Sequence, residues 1–321
     1  MNIDIDNLRT FISLAEKGSF TDSGKSLRKS QSAISLQIAG LERQFGLLLI
    51  DRSTRPIKLT EAGQVFLQFS IQIVNQTGDL ERTMSELAGG NLGDVRIGAT
   101  TSVGAYLLPP IARRLIETLP KLSITIMSLP QTSVLAAVRT SEVDFAFVLS
   151  DKVPGDLKVT TLKKEPLWFV TSPGNTILRR LPLTMTDLKS VPFILGLKGN
   201  QYTGMMESIL EDRHFPKVPV AMRIGNYEGI KQAVCAGIGV AILPQFTVQN
   251  EIHNRTLVRI RIDGVNLTAK IMLAERFQTL QRPTAMSAKS YISAAISKIQ
   301  SPDMAPATGS LRPRPGRKVR R

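Results

Sequence analysis

Residues 19–42 read SFTDSGKSLRKSQSAISLQIAGLE, a pattern that predicts two short helices joined by a tight polar turn. We expect Thr21 to cap the first helix and Ser30 the second, because each hydroxyl can accept a bond from a backbone N–H that lacks a partner at a helix start. The apolar side chains that should pack these helices together are Phe20, Leu27, Ile34, Ile38 and Leu41. The segment predicts a helix-turn-helix.

The second predicted helix presents small hydrogen-bonding side chains in place of charge. They are Gln31, Ser32, Ser35 and Gln37. Gln can bond bidentately to adenine and Ser can bond to any base, so this helix suits the edges of bases in a DNA groove. The pattern therefore predicts a DNA-reading helix.

The flanking sequence extends this pair to a winged helix-turn-helix over residues 1–60. An earlier helix is indicated by the helical spacing of Leu8, Phe11, Ile12 and Ala15. Gly18 and Gly46 are placed to end helices. LLLIDRSTRPIKLT, residues 47–60, predicts a hairpin that carries Arg52, Arg55 and Lys58. These cations would meet phosphates or a minor groove, and a solvated basic hairpin is the alternative.

A long linker helix is predicted over residues 61–90, capped by Thr60 and running to about Leu87. Its heptad seam consists of Phe66, Ile73, Leu80 and Leu87, with Ala62, Phe69, Gln76 and Thr83 on the alternate positions. Such a helix cannot bury its own stripe. The partner is either a second copy of the chain or the helix's own domain.

Beyond a glycine-rich joint at 88–94, short β-rich runs alternate with helical stretches. This alternation over residues 91–300 predicts a mostly parallel sheet with helices on both sides, as one large sheet or two linked lobes. Residues 301–321 are rich in Pro, Ser and Arg and predict a disordered basic tail. The fold class is therefore α+β and multidomain.

Composition narrows the function classes. The net charge of +15 and the pI near 10.2 favour a polyanionic partner. One cysteine excludes an internal disulfide, and no run approaches the roughly 18 apolar residues of a membrane span. The start MNIDIDNLRTF lacks the features of a secretory signal. We expect a soluble protein of the cytoplasm.

Signals for catalysis, cofactors and metals are weak. GIGVAI at 237–242 approaches a dinucleotide fingerprint, but a helix precedes it and a strand follows, which is the reverse of the required order. Cys235 has no second thiol with which to form a redox switch. His214 and His253 are far apart and have no metal-ligand spacing. We expect no enzyme activity, cofactor or metal, although an exported solute-binding protein and an α/β enzyme are the rival interpretations.

Six motifs occur together and in order: LRTFISLAEKGSFT, KSL…SQSAISLQIAGLERQFG, LTEAG, VRIGAT, EVDFAFV and VCAGIGVAILP. On these motifs, residues 4 to about 300 resemble the LysR-type transcriptional regulators. The resemblance implies a winged helix-turn-helix, a dimerising linker helix and an effector domain of two Rossmann-like lobes, similar to type 2 periplasmic binding proteins. The lobes would comprise 91–163 with 268–300, and 164–267, with crossings near 161–167 and 264–270.

The resemblance also implies where the sites lie. DNA would be contacted by Gln31, Ser32, Ser35, Gln37, Arg52 and Arg55. An effector cleft would be formed by Thr100, Thr101, Ser102, Gln131, Thr132, Ser133, Asn200, Gln201, Thr203 and Asn226. These residues begin predicted helices, where free N–H groups and the dipole bind anions, so the effector should be small, polar and anionic. The alternative is that each hydroxyl caps its own helix.

The function implied by the resemblance is sequence-specific transcription regulation on the nucleoid. Paired recognition helices would bind an interrupted inverted repeat in double-stranded DNA. The resemblance implies a homotetramer and an effect on RNA polymerase, whereas the heptad seam supports a homodimer only. Leu36 stands where many relatives carry a polar or basic contact residue. Base preference should therefore differ from theirs, or base readout should be weaker.

Overall fold

The computed structural model describes residues 3–88, 93–199, 201–212, 215–277 and 282–299. The predicted basic tail and most of the predicted joint lie outside these residues. The N-terminal part consists of helices α1 (Ile5–Lys17), α2 (Phe20–Leu27) and α3 (Gln31–Phe45) and strands β1 (Ile50–Asp51) and β2 (Lys58–Leu59). The two strands pair antiparallel as a short wing. The predicted winged helix-turn-helix is confirmed.

The observed capping residues agree only in part with the predicted ones. Ser30 caps α3 as predicted, since its Oγ accepts a bond from the Ala33 N–H at 3.1 Å. The prediction that Thr21 caps the first helix of the pair is wrong, because α2 begins at Phe20 and Ser19 Oγ accepts the Asp22 N–H at 3.3 Å. Gly18 and Gly46 end α1 and α3 in the left-handed region, at φ 62° and 68°.

The core of this domain joins all three helices to the start of helix α4 (Glu61–Leu87). Phe66 of α4 packs edge-on against Phe11 and Phe45, with ring centroids 5.0 and 5.2 Å apart. A Cβ at Gly63 would collide with the Leu49 carbonyl oxygen, so only glycine allows α4 to approach the wing this closely. Thr60 caps α4 as predicted, accepting the Gly63 N–H at 3.0 Å.

The predicted seam of α4 divides into two parts. Ala62 and Phe66 pack on the domain's own core, which is the second alternative left open by the sequence. Further along α4, the seam residues are exposed to solvent. The exposed fraction is 60% for Phe69, 58% for Leu80 and 67% for Leu87. The early seam is therefore intramolecular, and the later seam remains available to a partner.

The C-terminal part begins with strands β3 (Asp94–Thr100), β4 (Ser123–Leu129), β5 (Phe145–Ser150), β6 (Lys158–Thr171) and β7 (Phe193–Leu195). It continues with strands β8 (Val220–Arg223), β9 (Ala241–Pro244), β10 (Val258–Ile260) and β11 (Leu267–Glu275). Its helices are α5 (Leu108–Thr118), α6 (Gln131–Arg139), α7 (Gln201–Asp212), α8 (Tyr227–Cys235), α9 (Gln245–His253) and α10 (Pro283–Lys298). A π-helical turn, Val103–Leu107, precedes α5, and two 3-10 turns, Thr176–Arg180 and Thr186–Ser190, precede β7.

Strands β6 and β11 join two lobes into one sheet path, ordered β10-β6-β11-β5-β3-β4 with β9 also on β6. The first lobe contains β3, β4 and β5, and the second contains β7, β8, β9 and β10. The crossings predicted near 161–167 and 264–270 fall on β6 and at the start of β11, where Leu167 pairs with Leu267.

The prediction of a mostly parallel sheet is wrong. Among the described strands, β3–β4, β3–β5 and β7–β8 are parallel, whereas β6 pairs antiparallel with β9, β10 and β11, and β11 with β5. The cause is the path of the chain, which leaves the first lobe through β6 and returns through β11. Two adjacent strands that cross in opposite directions must pair antiparallel.

The later part of α4 is bonded to the first lobe. Asn75 Nδ2 donates to the Thr140 carbonyl at 2.8 Å, and Asp79 pairs with Arg96 at 2.8 Å. Nearer the helix end, Glu86 pairs with Arg282 at 2.9 Å, and Arg282 also pairs with Asp144 at 2.9 Å. The Arg282 group is buried, so its positive charge depends on these two carboxylates. These contacts fix α4 on the first lobe.

Candidate functional site

One exposed helix face and one cavity between the lobes carry the candidate functional residues. On α3, Gln31 and Ser32 are exposed and Ser35 is half-buried. Leu36 is 68% exposed beside them. Ile34, Ile38 and Leu41 on the opposite side are fully buried, which orients the helix and leaves the polar face outward. This face offers hydroxyls, an amide and one apolar side chain.

Gln37 has a different position from the other residues predicted to face DNA. Its Oε1 accepts a bond from Thr10 Oγ1 at 2.9 Å, and its Nε2 donates to Asp6 Oδ2 at 2.8 Å. Lys29 Nζ lies 2.5 Å from the same Asp6 oxygen. The hydrogen bonds from Lys29 and Gln37 lower the pKa of Asp6. Because the amide of Gln37 ties α3 to α1, this placement does not support a role for Gln37 on the DNA face.

The wing presents Arg52, Arg55 and Lys58 as exposed cations. Arg52 Nη2 lies 3.0 Å from Glu42 Oε2, and its guanidinium lies 6.0 Å from the Phe20 ring centroid. Glu42 also accepts the Leu49 N–H at 2.9 Å. The carboxylate thereby holds the wing onto α3 and positions Arg52 while that side chain remains half exposed.

A cavity of about 340 Å³ lies between the two lobes. Six of the predicted effector residues line it: Thr100, Thr101, Ser102, Gln131, Thr132 and Asn226. Each comes from a segment where a strand ends and a helical segment begins. These residues could be predicted because each directly follows a β-rich run in the sequence.

Two of the other four predicted residues, Ser133 and Thr203, lie outside the cavity wall. Ser133 is exposed on α6 and does not line the cavity. It follows Gln131 by two residues, and the turn of the helix over those residues directs its side chain away from the cavity. Thr203 is buried behind the wall, where a Cβ at Gly196 would collide with its Oγ1. Asn200 and the Gln201 side chain lie outside the described residues.

The apolar half of the wall was not predicted from the sequence. It consists of Leu129, Leu149, Met205, Ile224 and Ile230, together with the rings of Tyr202 and Tyr227. These two rings lie 4.7 Å apart between centroids. Apolar residues in strands and helices look like ordinary core in a sequence, so no local signal distinguished them.

Hydrogen bonds fix the polar lining. Thr100 Oγ1 accepts the Leu149 N–H at 3.0 Å, and Asn226 Oδ1 accepts the Gly229 N–H at 2.7 Å. Asn226 therefore caps α8, as the alternative interpretation held, and also lines the cavity. Gln131 Nε2 donates to the Lys152 carbonyl at 3.0 Å, while Gln131 Oε1 has no hydrogen-bond partner among the described residues.

The electrostatics of the cavity come from helix ends. Helices α6 and α8 begin at its wall, where backbone N–H groups carry partial positive charge. The described side chains of the lining are all uncharged types. Burial raises the pKa of Tyr202 and of Tyr227, so both remain neutral phenols at physiological pH. The arrangement favours a negatively charged guest.

One further contact joins the lobes. Tyr106 Oη, in the first lobe, donates to Glu228 Oε2 at 2.7 Å. The buried Lys231 lies 3.0 Å from Glu228 and 2.5 Å from Glu251. The bonds from Tyr106 and Lys231 lower the pKa of Glu228. Sequence reasoning missed this link because its two sides are 122 residues apart.

Within the described residues, no group of three or more His, Cys, Asp and Glu side chains is placed to hold a metal ion. His214 lies outside that part of the chain. No helix that the structure describes combines the length and apolar character needed to cross a bilayer.

Both the N-terminal part and the C-terminal part of the chain are similar to known proteins. The family model described as "Bacterial regulatory helix-turn-helix protein, lysR family" matches residues 5–64, and "LysR substrate binding domain" matches residues 88–294. The HTH-type transcriptional regulator YwqM of Bacillus subtilis is 29% identical over 78% of this chain and 85% of its own length. A probable RuBisCO transcriptional regulator of Thalassiosira pseudonana is 27% identical over 84% of this chain and 90% of its own length. These relatives are named as regulators rather than enzymes.

The crystal structure of full-length CbnR in complex with its target DNA has a similar fold. The TM-score is 0.67 at 19% identity, covering 91% of this chain and 100% of that one. The similarity extends over the helix-turn-helix, the long helix and both lobes, so the order of domains is shared.

Proposed function

Because this chain belongs to the LysR family of DNA-binding transcription regulators, we propose that a small anionic effector bound between its two lobes controls its action on DNA. The observation that carries this proposal is the interlobe cavity, where two helices begin at a wall of uncharged polar side chains. Helix starts bind anions through free N–H groups and the helix dipole. Neutral Tyr202 and Tyr227 add no opposing charge.

The DNA-reading face comprises Gln31, Ser32 and Ser35, with Leu36 beside them. The exposed amide and hydroxyls suit base edges, and an exposed leucine suits a thymine methyl group. Arg52 and Arg55 on the wing bind phosphates, which positions the protein without reading sequence. Gln37 is left out of this set because its amide is used within the domain.

Pairing of two chains places two such faces on one DNA. The exposed later seam of α4 is the dimerisation surface, and a second apolar groove formed by Leu47, Val65 and Phe69 lies beside it. A two-fold dimer then binds an interrupted inverted repeat, since operator symmetry mirrors protein symmetry. Two dimers assemble into the homotetramer. A change in the arrangement of its lobes and DNA-binding domains alters the access of RNA polymerase to the DNA.

Coupling between effector and DNA runs through the first lobe. An effector acts only if it prefers one arrangement of the lobes over another. The first lobe holds α4 through Asp79–Arg96 and Glu86–Arg282, so rotation of that lobe carries α4 with it. The angle between the paired DNA-binding domains then changes.

Footprinting tests this proposal on the DNA beside the chain's own coding region. The purified full chain should protect a segment with two-fold symmetry, and at least one small organic anion should change the protected pattern. Thr132→Ala should weaken that response, whereas Ser133→Ala, one residue away and outside the wall, should preserve it. A footprint that no anion alters, or one that Ser133→Ala alters as strongly, would contradict the effector assignment.

A further inference from the structure

Three side chains connect the two lobes beside the cavity without lining it. Tyr106 Oη, on the π-helical turn of the first lobe, donates to Glu228 Oε2 of the second lobe at 2.7 Å. Nζ of Lys231, also in the second lobe, lies 4.8 Å from the centroid of the Tyr106 ring. Tyr106 is thus held by a hydrogen bond to a charged group and by a cation–π contact.

The charges around this contact are compensated. The Lys231 side chain is 4% exposed and pairs with Glu228 at 3.0 Å and Glu251 at 2.5 Å, so two carboxylates stabilise one buried ammonium group. Burial and the bond to Glu228 raise the pKa of Tyr106, whereas the bonds from Tyr106 and Lys231 lower the pKa of Glu228. At physiological pH, Tyr106 is therefore a neutral donor and Glu228 a charged acceptor.

Tyr106 is anchored in the first lobe. Its neighbours Val103 and Leu107 are buried in the core. A Cβ at Gly104 would lie 2.7 Å from Ser128 Oγ of β4, so glycine allows the π-helical turn to pack directly on the sheet. Tyr106 therefore moves with the first lobe.

Glu228 and Lys231 are anchored in the second lobe. Both belong to α8, which buries Ile230 in the core of that lobe, and Lys231 bonds to Glu251 of α9. The bond between Tyr106 and Glu228 therefore joins one packed element of each lobe. These two elements cannot separate while the bond is formed.

The same two elements continue directly into the cavity wall. Ser102 of the wall precedes the π-helical turn, and Tyr227 of the wall precedes Glu228. In the described part of the chain, β6 and β11 are the strands that cross between the lobes, and a pair of crossing strands can bend as a hinge. Separation of the two walls at this side requires the bond to break.

We propose that Tyr106, Glu228 and Lys231 form a latch that holds the two lobes closed over the cavity. This inference rests on the proposed effector site and specifies how access to that site is regulated. A guest that contacts both walls binds the closed arrangement, so the latch raises the guest's affinity by keeping that arrangement populated. Loss of the latch lowers the closed population and, with it, the apparent affinity.

Hydrogen exchange of the full-length protein, with no anion added, tests the latch. Tyr106→Phe removes the hydroxyl and keeps the ring over Lys231. Amides of α8 and at the start of α6, which forms another part of the wall, should exchange about threefold or more faster, because one hydrogen bond to a partly exposed carboxylate is lost. Tyr291→Phe removes the same group from the exposed side of α10 and should leave this exchange unchanged. Faster exchange confined to residues 103–107 would overturn the proposal.

Glu228→Ala breaks the same bond from the second lobe and should accelerate exchange at the start of α6 in the same way. In the double variant, Tyr106→Phe should add no further acceleration, because its acceptor is already absent. Accelerations that multiply would show that the hydroxyl acts through another contact, which overturns the latch. Thermal unfolding shows which variants are folded, and either single variant decides the matter if the other does not fold.

An anion that alters the footprint gives a second measurement. The concentration that produces half of the change should be about threefold or more higher for Tyr106→Phe than for the wild type and Tyr291→Phe. An unchanged concentration would overturn the latch and leave the effector site standing. If no anion alters the footprint, the effector site is overturned, and hydrogen exchange alone decides whether Tyr106 holds the lobes closed.

Discussion

At the residue scale, two glutamines on one helix lie in opposite environments. Gln31 is exposed at the start of α3, whereas Gln37 is bonded to Asp6 and Thr10. The same substitution at each position should therefore have different consequences. The contrast separates DNA reading from domain stability.

Gln31→Ala should lower binding to the operator while leaving binding to random DNA nearly unchanged. A bidentate side-chain contact to a base contributes about 1–3 kcal/mol of discrimination, while phosphate contacts are untouched. Salt titrations of binding to operator and random DNA measure both quantities. Equal losses on the two DNAs would show that Gln31 does not read bases.

Gln37→Ala should destabilise the N-terminal domain rather than change its base preference. It removes the acceptor for Thr10 and one donor to Asp6, and hydrogen bonds of this kind contribute about 0.5–1.5 kcal/mol each. Urea unfolding measures the loss. An unchanged free energy of unfolding together with lost operator specificity would indicate that Gln37 contacts DNA instead.

Asp6 adds a pH-dependent part to this stability. Its bonds to Lys29 and Gln37 lower its folded pKa. A carboxyl with a lowered folded pKa contributes stability above its unfolded value, near 3.9, and that contribution is lost as the pH falls through the folded pKa. The wild-type melting temperature should thus drop more steeply below about pH 4 than that of Asp6→Asn. If the melting temperatures of the two proteins changed in parallel with pH, the bonds of Asp6 would not contribute this stability.

At the element scale, α4 has two different environments along one stripe. Its first turns pack on the N-terminal core through Phe66, and its later seam is exposed. The heptad pattern does not reveal this division, because both parts use apolar residues at the same spacing. The division is set by where the core of the N-terminal domain ends.

Leu80→Lys should dissociate the dimer at concentrations where the wild type is paired. Each buried leucine contributes about 1.5–3 kcal/mol, and a lysine in the seam adds like-charge repulsion between the copies. Ser85→Lys is the control, since Ser85 is exposed on the same helix and off the seam. Light scattering after size exclusion measures the mass. A dimer that persists in Leu80→Lys would move the interface elsewhere.

At the scale of the whole molecule, a buried ion pair joins domains that are distant in sequence. Glu86 and Arg282 are 196 residues apart, and Asp144 completes the cluster. The cluster lies between α4 and the first lobe, on the path of the proposed coupling between effector and DNA. Removing one member tests both stability and coupling.

Glu86→Ala should destabilise the folded protein and weaken the response to effector. It deprives buried Arg282 of one carboxylate, and hydrogen bonds to charged groups contribute about 1.5–3 kcal/mol. Glu81→Ala, on the exposed side of α4, is the control. Thermal unfolding and effector-dependent footprinting measure the two effects. A variant that is destabilised but responds fully would make the cluster structural only.

The winged helix-turn-helix, the long helix α4 and six polar residues of the cavity wall could be predicted from the sequence. Periodicity, caps at Thr60 and Ser30 and glycines at helix ends act over a few residues, so the chain records them locally. The antiparallel crossing strands, the apolar wall around Met205 and the hydrogen bonds of the Gln37 amide became apparent only in the three-dimensional structure. Those features depend on residues that lie far apart along the chain, and such pairings leave no local pattern because each partner alone looks like ordinary core or surface.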